Sequence, residues 1–495
     1  MTTTNPYNHA KIMKKAMRYM LGVAIMLLAG NASAQNLNSA YFLDGYTYGH
    51  EMNPAKAYDR KGYVAFPGLS HINFGVHGNL NLKNLLYKNP NGEGLTTFLN
   101  PNLSVKEVMG NFHNNNKLLL DSRVEVFGFG FRGFHGFNTF NIAVRANGGA
   151  NIPYEFFDVM KNLQNKDYDI SDVGATASGW VEVGLGHSHQ INKAWRFGAK
   201  MKILLGGARA DVKADNLSLD LSAEDKWTAT ANASVEASMK GLTWGQLKTK
   251  ERSAEYMKRH PEASRTYQEV DFDNLDVKDP GIGGGGVAFD FGTEWDMGKQ
   301  DLVKGLKLSA ALLDLGFIKW NNTLTAANRG GTFEFDGFHD VKVGHGDGVK
   351  IEDQWEDVDD RLEDLYQLEA GETTSKVKGL GATLNIGLEY ALPSYDKLSF
   401  GLLSTTRIQG VYSWNEERVS ISLSPAKAFE FALSAAVGTQ GASVGGVINI
   451  HPRGLNLFIG MDHVLGKLSK QYVPLKSNAD FTFGINIPFG KVREN

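Results

Sequence analysis

Apolar and polar side chains alternate with a period of two along most of the chain beyond residue 60. Between residues 195 and 203 the odd-numbered positions are apolar, whereas the even-numbered positions from 196 to 202 carry Arg, Gly and Lys. Residues 380–392 and 480–489 repeat this alternation. Because successive side chains of a β-strand point to opposite faces, each run predicts a strand with one apolar face and one polar face.

The length of these runs separates a membrane barrel from a soluble sandwich. The runs reach about 9–13 residues, whereas strands in soluble sandwiches average about 5–6, and the longer runs match strands that cross a bilayer at a tilt. The pattern therefore predicts an all-β fold, a transmembrane antiparallel β-barrel with short helices in its loops.

Fifteen runs are candidate strands, and an even number is usual for a single-chain bacterial barrel. We therefore expect about 14 strands, within a range of about 12–16. Residues 191–193, 393–396 and 452–454 are candidate periplasmic turns. The candidate strands are residues 62–78, 118–132, 137–149, 177–190, 194–207, 226–238, 284–296, 305–319, 331–343, 379–392, 397–413, 417–437, 441–451, 454–464 and 479–489.

Residues 1–34 predict a signal peptide. A basic stretch precedes the apolar residues 20–28, and the small residues 32–34 form a cleavage site between Ala34 and Gln35. The apolar run is about half of the ~20 residues that span a bilayer, so a transmembrane anchor is the weaker alternative. Translation could start at Met1 or at Met13. The pattern indicates export through the Sec pathway, and a barrel exported in this way belongs in the cell outer membrane.

Residues 35–60 lack the alternation and precede the predicted barrel, residues 61–490. An N-terminal hatch inside the lumen and a disordered leader before the first strand are equally compatible with these residues. Residues 153–163 predict a short amphipathic helix. Two large inserts lie near 239–280 and 346–372, and their charged residues indicate a solvated surface helix in the first and an acidic amphipathic helix in the second.

Composition narrows the classes of partner and chemistry. The 495 residues carry a net charge of -3 and no Cys, so we expect no nucleic-acid binding, disulfide or thiolate site. Glycine (56 residues) and aromatic residues (11%) are abundant. Small residues suit a narrow lumen, and aromatic residues suit the borders of the lipid-facing surface. The tryptophans assigned to those borders are Trp180, Trp195, Trp227, Trp295 and Trp320.

No catalytic or metal motif emerges. Glycines 283–286 lead into a strand-like run and not into a phosphate-binding helix. His187 and His189 could supply half of a zinc site, but no third ligand is identifiable from the spacing. Asp357, Asp359 and Asp360 fit a solvated acidic surface better than a calcium loop. We therefore expect no enzyme activity, no cofactor and no metal site, and the ligand-binding residues are not identifiable.

Several segments resemble an uncharacterised family of Gram-negative outer-membrane proteins that carries a domain-of-unknown-function label. More distantly, the chain is similar to the long-chain fatty-acid transporter superfamily and to its relatives that act as shuttles in type IX secretion. The resemblance implies a 14-stranded barrel with an N-terminal hatch, and it assigns Asn53, Pro54 and Ala55 to the hatch motif. The segments that carry it are residues 41–48, 53–55, 168–172, 194–200 and 450–454.

The final strand resembles the signal that the barrel-assembly machinery recognises, with Phe481, Phe483 and Phe489 on one face. It departs from the common pattern because residues 490–495 follow Phe489. Outer-membrane lipid and the barrel-assembly machinery are therefore the expected partners during biogenesis.

Three hypotheses follow for function. The leading one is a barrel of the fatty-acid-transporter type for passive uptake or binding of a small hydrophobic ligand, with the hatch blocking free diffusion. The alternative is an interaction or secretion-shuttle barrel that docks a secreted protein partner through its extracellular loops. A soluble periplasmic β-protein is the third.

Overall fold

The computed structural model describes residues 37–490 except 223–225, 253–256, 258–260, 263, 271–274, 301, 329–330, 336–364, 366 and 465–477. The signal peptide and its cleavage site at Ala34 and Gln35 lie outside this part of the chain. Among the described residues, no helix has both the length and the apolarity needed to span a membrane.

The secondary structure is dominated by strands. The short 3-10 helices are Asn38–Ala40, Gly49–Glu51, Met297–Gln300 and Gly410–Tyr412, and the α-helices are α1 (Leu82–Leu85), α2 (Val105–Met109) and α3 (Tyr154–Lys161). The strands are β1 (Gly62–Ala65), β2 (Ile72–Gly78), β3 (Leu86–Lys88), β4 (Leu95–Thr97), β5 (Asn115–Gly133), β6 (Gly136–Pro153), β7 (Asp167–Asp169), β8 (Val173–Gln190), β9 (Trp195–Asp220), β10 (Trp227–Met239), β11 (Leu242–Trp244), β12 (Lys248–Glu251), β13 (Thr266–Glu269), β14 (Leu275–Val277), β15 (Gly284–Asp296), β16 (Leu306–Ala327), β17 (Gly331–Phe335), β18 (Glu369–Ala370), β19 (Thr374–Gly379), β20 (Ala382–Ala391), β21 (Leu398–Ile408), β22 (Trp414–Ala426), β23 (Phe429–Gly438), β24 (Gly441–Ile450), β25 (Asn456–Met461) and β26 (Ala479–Phe489).

One antiparallel sheet closes on itself to form a barrel. Its last strand, β26, pairs with both β1 and β2, so that Gly62 lies opposite Phe489 and Val76 opposite Ala479. The closed barrel has 14 wall strands, which confirms the predicted fold class and strand number.

Several wall strands consist of more than one segment. β1 and β2 form the first wall strand, because both pair with β5 on one side and β26 on the other. β10 and β15 are separated by residues 240–283 and yet pair with successive halves of β9. They therefore form a single wall strand that the first large insert interrupts. β16 continues into β17, and β18, β19 and β20 together form the next wall strand.

The strand boundaries expected from the sequence were wrong at three places. Two of these errors divide a single wall strand and one joins two wall strands, so their effects on the strand count partly cancel. Residues 226–238 and 284–296 belong to one wall strand, and so do residues 305–319 and 331–335. Residues 417–437 comprise two strands, β22 and β23, because the chain turns between Ala426 and Phe429. This hairpin leaves odd-numbered residues facing outward on both strands, so the period of two continues unbroken across the turn.

The connections differ between the two ends of the barrel. The three predicted short turns lie at the end where β1 begins and β26 ends, because each joins neighbouring strands there. Long connections, such as residues 79–114 and 154–172, lie at the opposite end. There, Phe112 stacks on Phe157 of α3 with ring centroids 3.9 Å apart. This contact confirms a buried side for the helix predicted at residues 153–163.

The described part of the first insert contains short strands. Lys248–Glu251 forms β12, which pairs with β13, so the surface-helix interpretation was wrong at these residues. β11 pairs with β14 in a separate small sheet. The charged residues of an exposed pair of short strands have a sequence pattern similar to that of a solvated helix, which explains the wrong prediction. Asp357, Asp359 and Asp360 of the second insert lie outside the described residues.

The tryptophans occupy two different environments. Trp195 and Trp295 stack at the short-turn end with centroids 5.0 Å apart, and Trp227 is exposed. Trp180 and Trp320 instead belong to a buried cluster with Leu204 and Ile318, so their assignment to the lipid borders was wrong. Both have even numbers, the parity that faces the lumen on β8 and, beyond the irregularity at Asp314, on β16 as far as Trp320.

Replacing Leu433 by Arg should destabilise the barrel by about 2–4 kcal/mol, because the guanidinium would enter lipid near the middle of β23. Unfolding in lipid vesicles with urea, followed by tryptophan fluorescence, measures the loss. Leu163→Arg is the matched control, since Leu163 is 61% exposed and Leu433 64% exposed, but Leu163 follows α3 in a connection. The free energy of unfolding of this control variant should change by less than about 0.5 kcal/mol. Equal losses for the two variants would contradict a lipid-facing β23.

Candidate functional site

The N-terminal segment, residues 37–60, lies inside the barrel. Every residue from 37 to 55 is buried except Asp44. Two 3-10 turns compact the segment, and its aromatic residues pack on each other and on the wall: Tyr46 meets Phe458 edge-on at 5.0 Å, and Tyr48 stacks on His71 at 4.4 Å. The segment therefore forms a small folded core of its own within the lumen.

Hydrogen bonds from wall residues hold the beginning of this segment. The Asp462 carboxylate accepts the backbone N–H groups of Asn38 and Ser39 at 2.5 and 2.7 Å. The Ser39 hydroxyl lies 2.8 Å from that of Ser434 on β23. This carboxylate takes the place of the partners that N–H groups at the start of a helix otherwise lack.

The middle of the segment is held from other sides of the wall. The Gly45 N–H donates to the Glu430 carboxylate at 3.1 and 3.2 Å. Tyr48 donates its hydroxyl to Glu125 on β5 at 3.0 Å. The carbonyl of Met52 accepts from Asn385 on β20 at 2.9 Å. The segment is thus attached around the circumference of the barrel.

Asn53, Pro54 and Ala55 form a tight turn against β8, β9 and β15. The Ala55 N–H donates to the side-chain oxygen of Asn53 at 2.9 Å, and the Asn53 amide donates to the Thr293 carbonyl at 3.1 Å. Ser188 donates to the Ala55 carbonyl at 2.6 Å. Asn53 therefore caps its own turn and joins it to β15. The role of these three residues in a hatch stays a prediction.

Glycines on the inner face of the wall make room for the segment. A Cβ at Gly198 would overlap the Pro54 backbone, and one at Gly292 would overlap the Asn53 side chain. Gly387, Gly401 and Gly460 meet Tyr41, Phe42 and Leu37 in the same way. Five glycines on five wall strands therefore shape a cavity complementary to this segment.

Glu51 is the electrostatic contact between the segment and the wall. Its carboxylate lies 2.8 Å from Lys200 Nζ and 3.1 Å from the Arg123 guanidinium. Burial disfavours the ionised form, but the two cations outweigh it and hold the pKa of Glu51 well below its usual range. The carboxylate therefore remains charged inside the barrel.

A network of buried ion pairs continues from Glu51 across the lumen. Arg123 and Arg145 contact Glu182 at 3.2 and 3.0 Å. Arg145 also contacts Asp314 at 2.9 Å, and Lys202 contacts Asp314 at 2.7 Å. Since these charges compensate one another at hydrogen-bonding distance, they can remain buried without lone ions. A polar cavity of about 60 Å³ lies among these residues.

A larger depression, about 550 Å³, lies on the outer surface of the wall. Its apolar lining comes from outward-facing residues of β5, β6, β8, β9 and β15. The main apolar lining residues are Phe129, Phe131, Phe140, Leu185, Met201 and Phe289.

His187 and His189 lie at the short-turn end. Their facing nitrogens are 3.3 Å apart, and the other nitrogen of His187 lies 2.9 Å from the Asn138 side-chain oxygen. Within the described residues, the structure groups no third potential metal ligand with this pair.

Comparison with protein families identifies one match. The family of unknown function DUF5723 matches residues 54–462, well over half of the 495-residue chain. The chain belongs to the DUF5723 family. The comparison with curated proteins gives no match.

Solved structures that are similar to this DUF5723 chain include a toluene transporter and a FadL homologue. The P. putida toluene transporter TodX has 8% identity and a TM-score of 0.36, with 94% of this chain and 97% of that chain covered. A Pseudomonas aeruginosa FadL homologue has 10% identity and a TM-score of 0.37, with 93% and 100% covered.

Sequence reasoning missed the ion-pair network of this DUF5723 protein. Glu51, Arg123, Glu182, Lys200 and Asp314 are distant in sequence, and the barrel brings them together. The available signal was parity, because Arg123, Glu182 and Lys200 occupy the inward-facing positions of their strands. Lone charges on the inner face of a predicted barrel strand would have marked them as candidates.

Replacing Glu51 by Ala should lower the free energy that holds the N-terminal segment in the lumen by about 3 kcal/mol. This value is at the lower end for breaking a buried ion pair, because Arg123 and Lys200 keep Glu182 as a partner. Hydrogen exchange of the amides in residues 37–60 would report the loss as increased exchange. Asp44→Ala is the control within the same segment, since Asp44 is exposed and its loss should cost less than about 1 kcal/mol. Unchanged exchange in Glu51→Ala would contradict the anchoring role of Glu51.

Proposed function

We propose that the protein is an outer-membrane barrel that passes a small ligand under the control of its N-terminal segment. Residues 37–60 are the hatch in this proposal, and Asn53, Pro54 and Ala55 are the turn that seats it against β9 and β15. The observation that carries the proposal is the filled lumen: nineteen consecutive residues, 37–55, lie inside the barrel, and all but Asp44 are buried.

The outer surface supports the membrane location. Apolar side chains such as Leu433, Val437 and Ile421 are exposed on consecutive outward positions, while their even-numbered neighbours face inward. A closed barrel also pairs its edge strands, which satisfies backbone groups that lipid cannot solvate. Exposed apolar area of this extent is costly in water and favourable in a bilayer.

The way the segment is held supports a movable hatch. Its contacts with the wall include hydrogen bonds and ion pairs, which water can replace when the segment moves, beside apolar packing on wall residues such as Phe458. Glycines provide a smooth seat on five strands, so the segment can leave without passing interlocking side chains. The covalent link to β1 keeps it at the short-turn end when it moves.

The interior and the exterior offer different environments to a ligand. Charged and polar groups line the inner cavity of about 60 Å³ and favour a small polar solute there. An apolar ligand finds a matching surface in the outer depression of about 550 Å³. The hydrophobic ligand expected from the family resemblance therefore stays a prediction. So does a secreted protein partner, which no contact among the described residues favours.

A disulfide between Ser39→Cys and Ser434→Cys should lock the hatch, because the two hydroxyl oxygens lie 2.8 Å apart and the chain has no native Cys to interfere. In planar bilayers the wild type should be closed with brief openings, and the oxidised double variant should lose those openings. Dithiothreitol should restore them. The single variant Ser39→Cys is the control for the substitution itself.

A variant lacking residues 37–60 completes the test. If it migrates as a folded, heat-modifiable barrel, it should conduct ions continuously. Steady porin-like conductance of the wild type, or a folded deletion variant that remains closed, would contradict the proposed gate.

A further inference from the structure

We propose that His77, His463 and Asp480 form a binding site for a borderline divalent metal ion such as Zn²⁺. His77 is on β2, Asp480 is on β26, and His463 follows β25 directly. One potential ligand atom from each residue lies within 4.8 Å of the others. Two imidazoles and a carboxylate are a ligand set that zinc uses with a further, exchangeable ligand.

The histidine on β2 provides independent support for a ligand. His77 is fully buried, and neither of its ring nitrogens has a hydrogen-bond partner among the described residues. A buried imidazole needs to donate one hydrogen bond and accept another, so leaving both unmade is costly. Its ring meets that of His463 edge-on with centroids 4.7 Å apart, so it is placed at the site. A metal ion would take the lone pair that lacks a partner.

His463 is already arranged as a metal ligand with an outer partner. Its Nδ1 lies 2.6 Å from the Asp480 carboxylate, and its Nε2 lies 3.3 Å from Glu416. If the ion replaces the proton between His463 and Asp480, Nε2–H still donates to Glu416. Carboxylate–histidine–metal chains of this kind orient the imidazole and strengthen it as a ligand.

The ligand atoms must rearrange to admit the ion. Zinc ligands lie about 2.0–2.2 Å from the metal, so two tetrahedral ligands are about 3.3 Å apart. His463 Nδ1 and Asp480 must therefore separate by less than 1 Å, and ligand atoms that lie up to 4.8 Å apart must approach each other by up to about 1.5 Å.

The buried charges around the site are also suited to a cation. Glu416, Asp462 and Asp480 are buried carboxylates, and Arg418 is the buried guanidinium that contacts Glu416 at 2.9 Å and Asp462 at 3.6 Å. With neutral imidazoles, three negative charges face one positive charge. A divalent ion compensates the remaining two negative charges, whereas a protonated His463 compensates only one of them.

The position of the site gives the ion a structural role. β2 and β26 are the neighbouring strands at which the barrel closes. The backbone N–H of Asp462 donates to the Asp480 carboxylate, and Asp462 in turn accepts the N–H groups of Asn38 and Ser39. A metal bound to Asp480 and His463 would therefore connect the closing strands to the residue that holds the N-terminal segment.

No metal site was expected from the sequence, because these three ligands are not closely spaced along the chain. His187 and His189 attracted attention for their spacing, whereas His77 and His463 are far apart in the chain. Only barrel closure brings β2 beside β26.

The direct test uses the full chain, purified in detergent without a histidine tag and equilibrated with Zn²⁺. After removal of free metal, elemental analysis should find one zinc per chain. X-ray absorption at the zinc edge should show two imidazole ligands with oxygen completing the shell. This measurement uses the wild type, so its outcome is independent of how any variant folds.

Variants then locate the ion. His77→Ala should weaken zinc affinity by at least about 100-fold, since even outer partners of metal ligands are worth about 10–100-fold. Asp480→Asn should also weaken zinc affinity. The double variant His187→Ala and His189→Ala is the matched control and should retain wild-type affinity. Heat-modifiable migration on a semi-native gel verifies that each variant is folded.

Three results would overturn the proposal. They are the absence of stoichiometric zinc in the folded wild type, an absorption spectrum with fewer than two imidazole ligands, and loss of zinc in the His187 and His189 control. Failure of the proposed gate in bilayers would leave this site unaffected, because metal binding is measured in the closed protein.

Discussion

A barrel of 14 strands has a lumen wider than its own wall side chains fill, so closing that lumen requires additional residues. Eight strands leave an interior that wall side chains can fill, and 16–18 leave a water channel, so the 14 strands of this wall lie between those cases. Residues 37–60 supply the missing volume. The glycines on five wall strands, the carboxylates that accept backbone N–H groups and the ion pairs at Glu51 all depend on this requirement.

Compensated charge organises one part of the interior, beside the apolar cluster that the N-terminal segment forms with the wall. Each buried cation of the network lies within hydrogen-bonding distance of at least one carboxylate, as Lys202 does with Asp290 at 2.6 Å. Such pairs give little net stability, because desolvation offsets attraction, but they allow few alternative arrangements. Apolar packing is concentrated elsewhere: within the N-terminal segment, around Trp180 and Trp320, and among the connections near α3.

Parity along the strands made much of the fold predictable from sequence. Positions such as Leu433 and Phe481 are exposed on the outer surface as expected. The number of wall strands also agreed, although three strand boundaries were wrong. The boundaries failed where the alternation carries no information: across the hairpin at residues 427–428, and across the insert that separates β10 from β15. The partners of Glu51 and the His77 cluster were not predictable, because alternation gives the face of a residue and not its height or its neighbour across the lumen.

The hydrogen bonds of the N-terminal segment also impose an order on assembly. Thr47 donates to Asn486, which is 439 residues later in the chain. The residues that are translated soon after the leader thus find their partners on the strand that is made last. Until that strand is in place, this segment cannot form its native contacts, since its binding surface does not yet exist. Docking of residues 37–60 is consequently a late step that reports a correctly closed barrel.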